Sequence, residues 1–330
     1  MKILQKLVPF TIFMLLLTNK SMADVKVVAS IHPIHSLVSK IMDGIGKPIL
    51  ILDRTASPHR FSLTPKNAEQ IEEADVIFWF GPYIETFLTK PINNLNNKKK
   101  NILLSEIPNL IKYRIRSGDG FEQHDHDKHK EHTDHRDGYE DHKEHRDGHE
   151  DHKEHKLHIN EIDQHVWLDP KNAKIILDEI KDTLSKIDPT NSKTYERNNI
   201  KAKEDIDNLI NITQSKLKNL DKKGFIYFHD AYQYFEKRFD LTAAGSVTVN
   251  TDVMPGVKRL KQLKKIINKP NVKCIFSEPQ FESKIINAIV EGTGKKVVIL
   301  DPLGYNIEPG KNLYNQLIIN MRESYIRCFE

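Results

Sequence analysis

The chain has 330 residues, 38% of them hydrophobic and 29% charged, with a formal net charge of +4. That length leaves room for two domains of ordinary size, and the composition is that of a globular protein rather than a disordered one. The positive charge is scattered through helix-like segments such as KRLKQLKK (258–265) rather than interleaved with aromatic residues, which argues against nucleic acid as a partner.

The N-terminus carries Lys2 and Lys6, an apolar run from Leu7 to Leu17, and small residues at Ser21-Met22-Ala23. The run is about half a bilayer span, so residues 1–23 read as a cleavable secretory signal peptide. Loss of Lys2, Lys6 and Lys20 with it lowers the formal charge from +4 to +1.

From Asp24 onward, short β-branched runs alternate with helical spacing. VKVVAS (25–30) and PILIL (48–52) read as strands around a helical PIHSLVSKIM. Thr64-Pro65 starts a helix that runs to Ala74, with a capping residue followed by proline in the first turn. The strand DVIFWFG, a helix from Pro82 and the strand NILLSE come next. Strand–helix alternation of this kind predicts a parallel sheet with helices on both faces.

Residues from about 115 to 162 break the pattern. Eleven of the sixteen histidines lie between His124 and His158, and HRDGYEDHKE is followed at once by the near-copy HRDGHEDHKE. A stretch so polar, with few aliphatic residues, cannot bury enough surface to offset its ordering entropy, and it reads as a disordered insertion. The fold resumes at DQHVWLDP, where Asp169-Pro170 begins a helix to about Ile187. A second helical pattern, about 30 residues long, runs from Thr190 to about Leu220. Alternation then restarts with FIYFH, AYQYFEKRF, SVTV, PGVKRLKQLKKII, VKCIFSE, KIINAIVEG, KVVILD and a last helix to Cys328. The expected fold is α/β: two similar lobes, 24–189 and 221–330, each a mainly parallel sheet flanked by helices, joined by one long rigid helix at 190–220.

Catalytic motifs fail on inspection. EGTGKK (291–296) lacks the first glycine and the Ser/Thr of a phosphate loop. Neither His-Glu-x-x-His nor Gly-x-Ser-x-Gly occurs. The histidines away from the insertion are more informative. His59 follows the strand PILIL, His229 ends FIYFH, and Asp301 ends KVVILD. The carboxyl ends of parallel strands are where open α/β sheets bind ligands. With His165, beside the insertion, these side chains could converge between the lobes. His32 and His35 open the first helix and read as structural. Asp163 and Asp230 are read either as outer partners of the histidines or as helix caps. An even cysteine count in an exported chain favours a disulfide over two buried thiols.

SPHRFSLTP, DQHVWLDP, FHDAYQYFEKRF, SEPQF and LDPLG, in that order, resemble the ZnuA-like periplasmic zinc-binding proteins of ABC importers. The resemblance covers Asp24 to Cys328, acidic His-rich insertion included. It implies His59, His165 and His229 as zinc ligands, Asp301 or a water as the fourth, and Cys274 with Cys328 as the disulfide pair. It further implies a monomeric carrier, not an enzyme, that delivers Zn²⁺ to the membrane subunit of an ABC permease. Some members place Glu before the first ligand histidine; here that residue is Pro58, which cannot coordinate. Neutral imidazoles suit zinc, whereas manganese favours oxygen donors. The alternatives are a manganese or iron importer component, a zinc-storing adhesin, or a metallohydrolase using a three-histidine site. The insertion is expected to bind divalent cations weakly, as an accessory collector or sensor of zinc.

Overall fold

The structure, a computed structural model, describes residues 25–53, 56–95, 101–116, 118, 120–121, 162–220, 224–248, 256–281 and 283–330. The expected signal peptide and the histidines between 124 and 158 therefore lie outside the described residues.

The first lobe contains β1 (Val27–Ala29), α1 (His32–Ile41), β2 (Ile49–Leu50), α2 (Pro65–Glu73), β3 (Val76–Trp79), α3 (Thr86–Asn94), β4 (Asn101–Leu103) and α4 (Pro170–Ile187). The 27-residue α5 (Ser192–Lys218) follows. The second lobe holds β5 (Gly224–His229), α6 (Gln233–Phe239), β6 (Gly245–Thr248), α7 (Val257–Ile267), β7 (Val272–Ser277), α8 (Ser283–Val290), β8 (Lys296–Ile299) and α9 (Leu313–Phe329). Each sheet is parallel and four-stranded, in the orders β2-β1-β3-β4 and β6-β5-β7-β8, so the two lobes share one topology.

Side-chain alternation along the strands sends apolar residues to both sheet faces, as a doubly covered sheet requires. In β5, Ile226 and Phe228 join the outer core with Leu263 of α7 and Ile286 of α8, while Phe225 and Tyr227 turn inward. Val28 and Ile77 likewise face Ile71 of α2 and Leu88 of α3, with Val27, Ala29 and Phe78 turned inward. The inward faces merge into one continuous core with residues of α1, α4, α5, α6 and α9. The helix α9 belongs to both lobes: it packs on β7 and β8 and also on α1 and α5.

Local chemistry sets several boundaries. Thr64 and Asn67 form a reciprocal capping box that starts α2 at Pro65. Asp169 caps α4 by accepting from Lys171 N at 2.9 Å. The helix expected from Pro82 starts later, at Thr86. The reason is Glu85: its carboxylate is fully buried and accepts from Phe80 N, Gly81 N and the Ser30 hydroxyl, so the chain first closes a turn over residues 82–84.

Residues 114–121, read in part as the start of the insertion, pack against the second lobe where they are described. Arg114 bridges Ile162, closing the base of the insertion. Gly120 accepts from Ser246 N at 3.1 Å on the edge strand β6. A Cβ at Gly120 would lie 2.3 Å from Ala244 O, and one at Gly245 2.4 Å from Gly120 O. The two backbones meet there because neither residue has a side chain.

Cys274 and Cys328 form a disulfide across 54 positions, with Cα atoms 5.6 Å apart, tying the end of α9 to the internal strand β7. In the chain-entropy treatment a loop of this size contributes about 4 kcal/mol. Replacing both cysteines by alanine should lower unfolding free energy by roughly that amount in urea titrations at matched pH. An unchanged midpoint would show that the crosslink does not constrain the unfolded chain.

Candidate metal centre

Three histidines from separate segments meet between the lobes. His59 lies in a turn after β2, in which Arg60 N donates to Ser57 O. His165 precedes a 3₁₀ turn, Val166–Leu168, whose first bond runs from Leu168 N to His165 O. His229 is the last residue of β5. One ring nitrogen from each lies within 4.8 Å of the other two. Their ring centroids stand 5.0 to 6.2 Å apart, none of them stacked. A small cavity opens on them, walled by Trp167, Phe281 and Pro302. Three imidazole nitrogens that converge in this way could hold a metal ion, and a tetrahedral zinc site built on them would have one position left over.

Carboxylates sit behind two of the rings. Asp163 Oδ1 is 2.7 Å from His165 Nδ1 and also accepts from His165 N at 3.0 Å, which leaves Nε2 of that ring for the cavity. Glu278 Oε1 is 3.4 Å from His229 Nδ1, with both side chains buried. Glu278 follows the carboxyl end of β7, so the strand-end rule that singles out His229 applies to it equally. In the sequence it has no signal beyond that position, because a glutamate after a strand is ordinarily a solvated surface residue.

The rings differ in their affinity for protons. Burial, then the neighbouring His229 and His165 and the Arg60 charge, holds His59 well below the ordinary histidine value, so it is neutral and ready to ligate at neutral pH. Burial also disfavours charge on His229, but Glu278, Asp230 and Asp163 more than offset it, and its value is raised above 6.5.

The remaining sequence candidates fall elsewhere. Asp301 is not in the converging group. Its Oδ1 accepts from Leu303 N at 2.9 Å and Gly304 N at 3.0 Å, and its Oδ2 from Tyr305 N at 2.6 Å, so it holds the loop after β8 in shape. Asp230 is clamped by Arg116, whose Nε donates to Oδ2 at 3.2 Å and whose Nη2 donates to Oδ1, while Nη1 pairs with Glu236 at 2.8 Å. His35 faces Pro48 O at 3.2 Å, away from the cluster.

Two parallel sheets of one topology, with imidazoles from both lobes meeting between them, define a two-lobed metal-binding protein. Residues 27–328 match the family described as "ZnuA: Zinc-uptake complex component A periplasmic", and the chain belongs to that family. It is 44% identical over 303 residues to the high-affinity zinc uptake system protein ZnuA of Brucella abortus (strain 2308), covering 92% of this chain and 91% of that one. The fold is similar to that of the periplasmic zinc binding protein TroA from Treponema pallidum, with TM-score 0.72, 18% identity and coverage of 93% and 99%. It is equally similar to FpvC from Pseudomonas aeruginosa in complex with Mn²⁺, with TM-score 0.72, 18% identity and coverage of 93% and 98%. A fold shared by zinc-binding and manganese-bound proteins does not choose the metal; the donor atoms must.

Because His229 holds its proton to higher pH than a free histidine and must lose one to ligate, metal affinity should fall with decreasing pH, starting above 6.5. Competition titrations from about pH 8 to about pH 5.5 should show log K falling by roughly one per pH unit at first, while His59 is already neutral. Affinity that stays flat down to about pH 6 would contradict this order of proton affinities.

Proposed function

We propose that this protein captures Zn²⁺ in the periplasm with high affinity and delivers it to the membrane subunit of an ABC permease. The observation that carries the proposal is the convergence of His59, His165 and His229 within 4.8 Å, drawn from both lobes of a zinc-uptake family member. Three imidazoles favour zinc over manganese or calcium, which prefer carboxylate and carbonyl oxygen. Copper would bind such a set at least as tightly by intrinsic affinity, so supply in the compartment contributes to selectivity.

His59, His165 and His229 are the ligands, and a water completes the shell. Pro58 offers no donor, and the carboxylate of Asp301 is committed to three backbone N–H groups. The protein works as a monomeric carrier, not an enzyme and not a nucleic-acid binder. In support, the two carboxylates at the cluster, Asp163 and Glu278, lie against Nδ1 of a histidine, a position that suits orienting a ligand. Residues 1–23 direct export, and no helix among the described residues is long and apolar enough to cross a membrane. The domains are the lobes 24–189 and 221–330, with the helix at 190–220 between them. The His-rich insertion, a string of imidazoles and carboxylates without prepared geometry, serves as an accessory collector or sensor.

Protein purified without an affinity tag should hold one zinc tightly. His59→Ala, His165→Ala and His229→Ala should each weaken it by at least about 100-fold, since each removes one of three protein ligands. Tight manganese binding, or unchanged zinc affinity in the triple variant, would defeat the proposal. Deleting residues 122–158 should remove weak sites and leave the tight one.

Asp301→Asn separates the two possible shells. With water as the fourth ligand, zinc affinity should change by less than about threefold, whereas loss of an anionic ligand facing a dication would cost far more. A large loss with the 301–305 loop intact would make Asp301 a ligand.

A further inference from the structure

The side chain of Glu278 has an unusual setting for a carboxylate. It is buried in the wall of the metal cavity, and Oε1 has no hydrogen-bond partner. The strand register explains how it arrives there. Tyr227 of β5 pairs with Phe276 of β7, so two residues further on His229 and Glu278 stand side by side at the carboxyl ends of neighbouring parallel strands. Both follow the inward-facing alternation of Phe225, Tyr227, Cys274 and Phe276, which puts them on the same sheet face.

From this placement we infer that Glu278 positions His229 for the metal, its carboxylate accepting the Nδ1–H so that the Nε2 lone pair points to the site. The inference rests on the carrier reading above and adds a residue to it. The 3.4 Å gap between Oε1 and Nδ1 is longer than a full hydrogen bond. Ligation at Nε2 withdraws electron density from the ring, makes Nδ1–H a stronger donor and draws the pair together. The same relation already holds on the facing lobe, where Asp163 Oδ1 lies 2.7 Å from His165 Nδ1.

Charge makes the arrangement necessary as well as geometric. Three neutral rings bring no negative charge to a buried dication, and the low-dielectric surroundings make an uncompensated charge costly. Asp163 and Glu278 each place one anion a single ring away from the metal, one from each lobe. Glu278 is not itself a ligand, because its oxygens are absent from the set of donor atoms that converge within 4.8 Å. It acts through His229.

The test uses the full chain. In zinc-loaded protein with ¹⁵N-labelled histidine, the ring of His229 should be protonated at Nδ1 and metal-bound at Nε2. Glu278→Ala should weaken zinc binding by about 10–100-fold, the range for loss of a ligand's outer partner. Glu278→Gln, which keeps an oxygen to accept the bond and preserves volume, should lose less. In a His229→Ala background Glu278→Gln should have no further effect, an outcome that a purely structural role would not produce. Should Glu278→Ala fail to fold, the glutamine variant and the double variant decide the matter.

Three results would overturn the inference: unchanged affinity in Glu278→Gln and Glu278→Ala, an equal loss with and without His229, or a Glu278 oxygen within about 2.2 Å of zinc. Failure of the carrier reading looks different. There the unsubstituted protein would lack tight zinc, or would ignore His59→Ala.

Discussion

The separation of His165 and His229 depends on one interface, centred on the docking of α6 from the second lobe onto the 163–169 segment of the first. The Tyr234 hydroxyl donates to Asp163 O at 2.7 Å. Arg238 grips the Asp169 carboxylate through Nε at 2.7 Å and Nη2 at 2.6 Å, and that carboxylate also caps α4. Trp167 Nε1 donates to Pro302 O at 2.9 Å, and the Tyr314 hydroxyl donates to Trp167 O at 2.7 Å. His165 lies inside this network and His229 only four residues before α6. Their separation is thus fixed by buried, mutually satisfied polar contacts rather than by the long helix alone. A three-donor site drawn from two lobes needs this, because ligand positions must be held to fractions of an ångström.

The electrostatics follow from the same geometry. His165 and His229, the two rings within the lobe interface, each have a carboxylate behind Nδ1. His59 stands on a turn, has Arg60 in its field and is kept neutral by burial and by its fellow histidines. Donor identity, not architecture, then carries the choice of zinc, which is why a chain bound to Mn²⁺ shares this fold with TM-score 0.72.

Much of this was legible in the sequence, and the reasons are physical. Buried parallel strands must be apolar on both faces, so VKVV, VIFW and VKCIF stand out, and crossover helices between them force one topology on each lobe. Thr64-Pro65 and Asp169-Pro170 announce helix starts because capping is local chemistry. The histidines at strand ends are visible because that is where sheets of this kind open. What was hidden depends on tertiary contact. Glu85 delays α3 through backbone groups that only folding brings to it. Gly120 meets Gly245 across 125 positions, a pairing that local pattern cannot announce. Asp301 has a ligand's position at the end of a strand, but its bonds to three amides of its own loop cannot be read from the sequence. Glu278 obeys the same strand-end rule as His229 but looks like an ordinary surface glutamate in the sequence.

X-ray absorption at the zinc edge of the full chain loaded with one equivalent of metal reads the first coordination shell directly. A site built on His59, His165 and His229 should show three imidazole nitrogens at about 2.0–2.1 Å and one further light donor, with the characteristic outer-shell scattering of histidine rings. A shell made chiefly of oxygen, or one with fewer than three imidazoles, would contradict it.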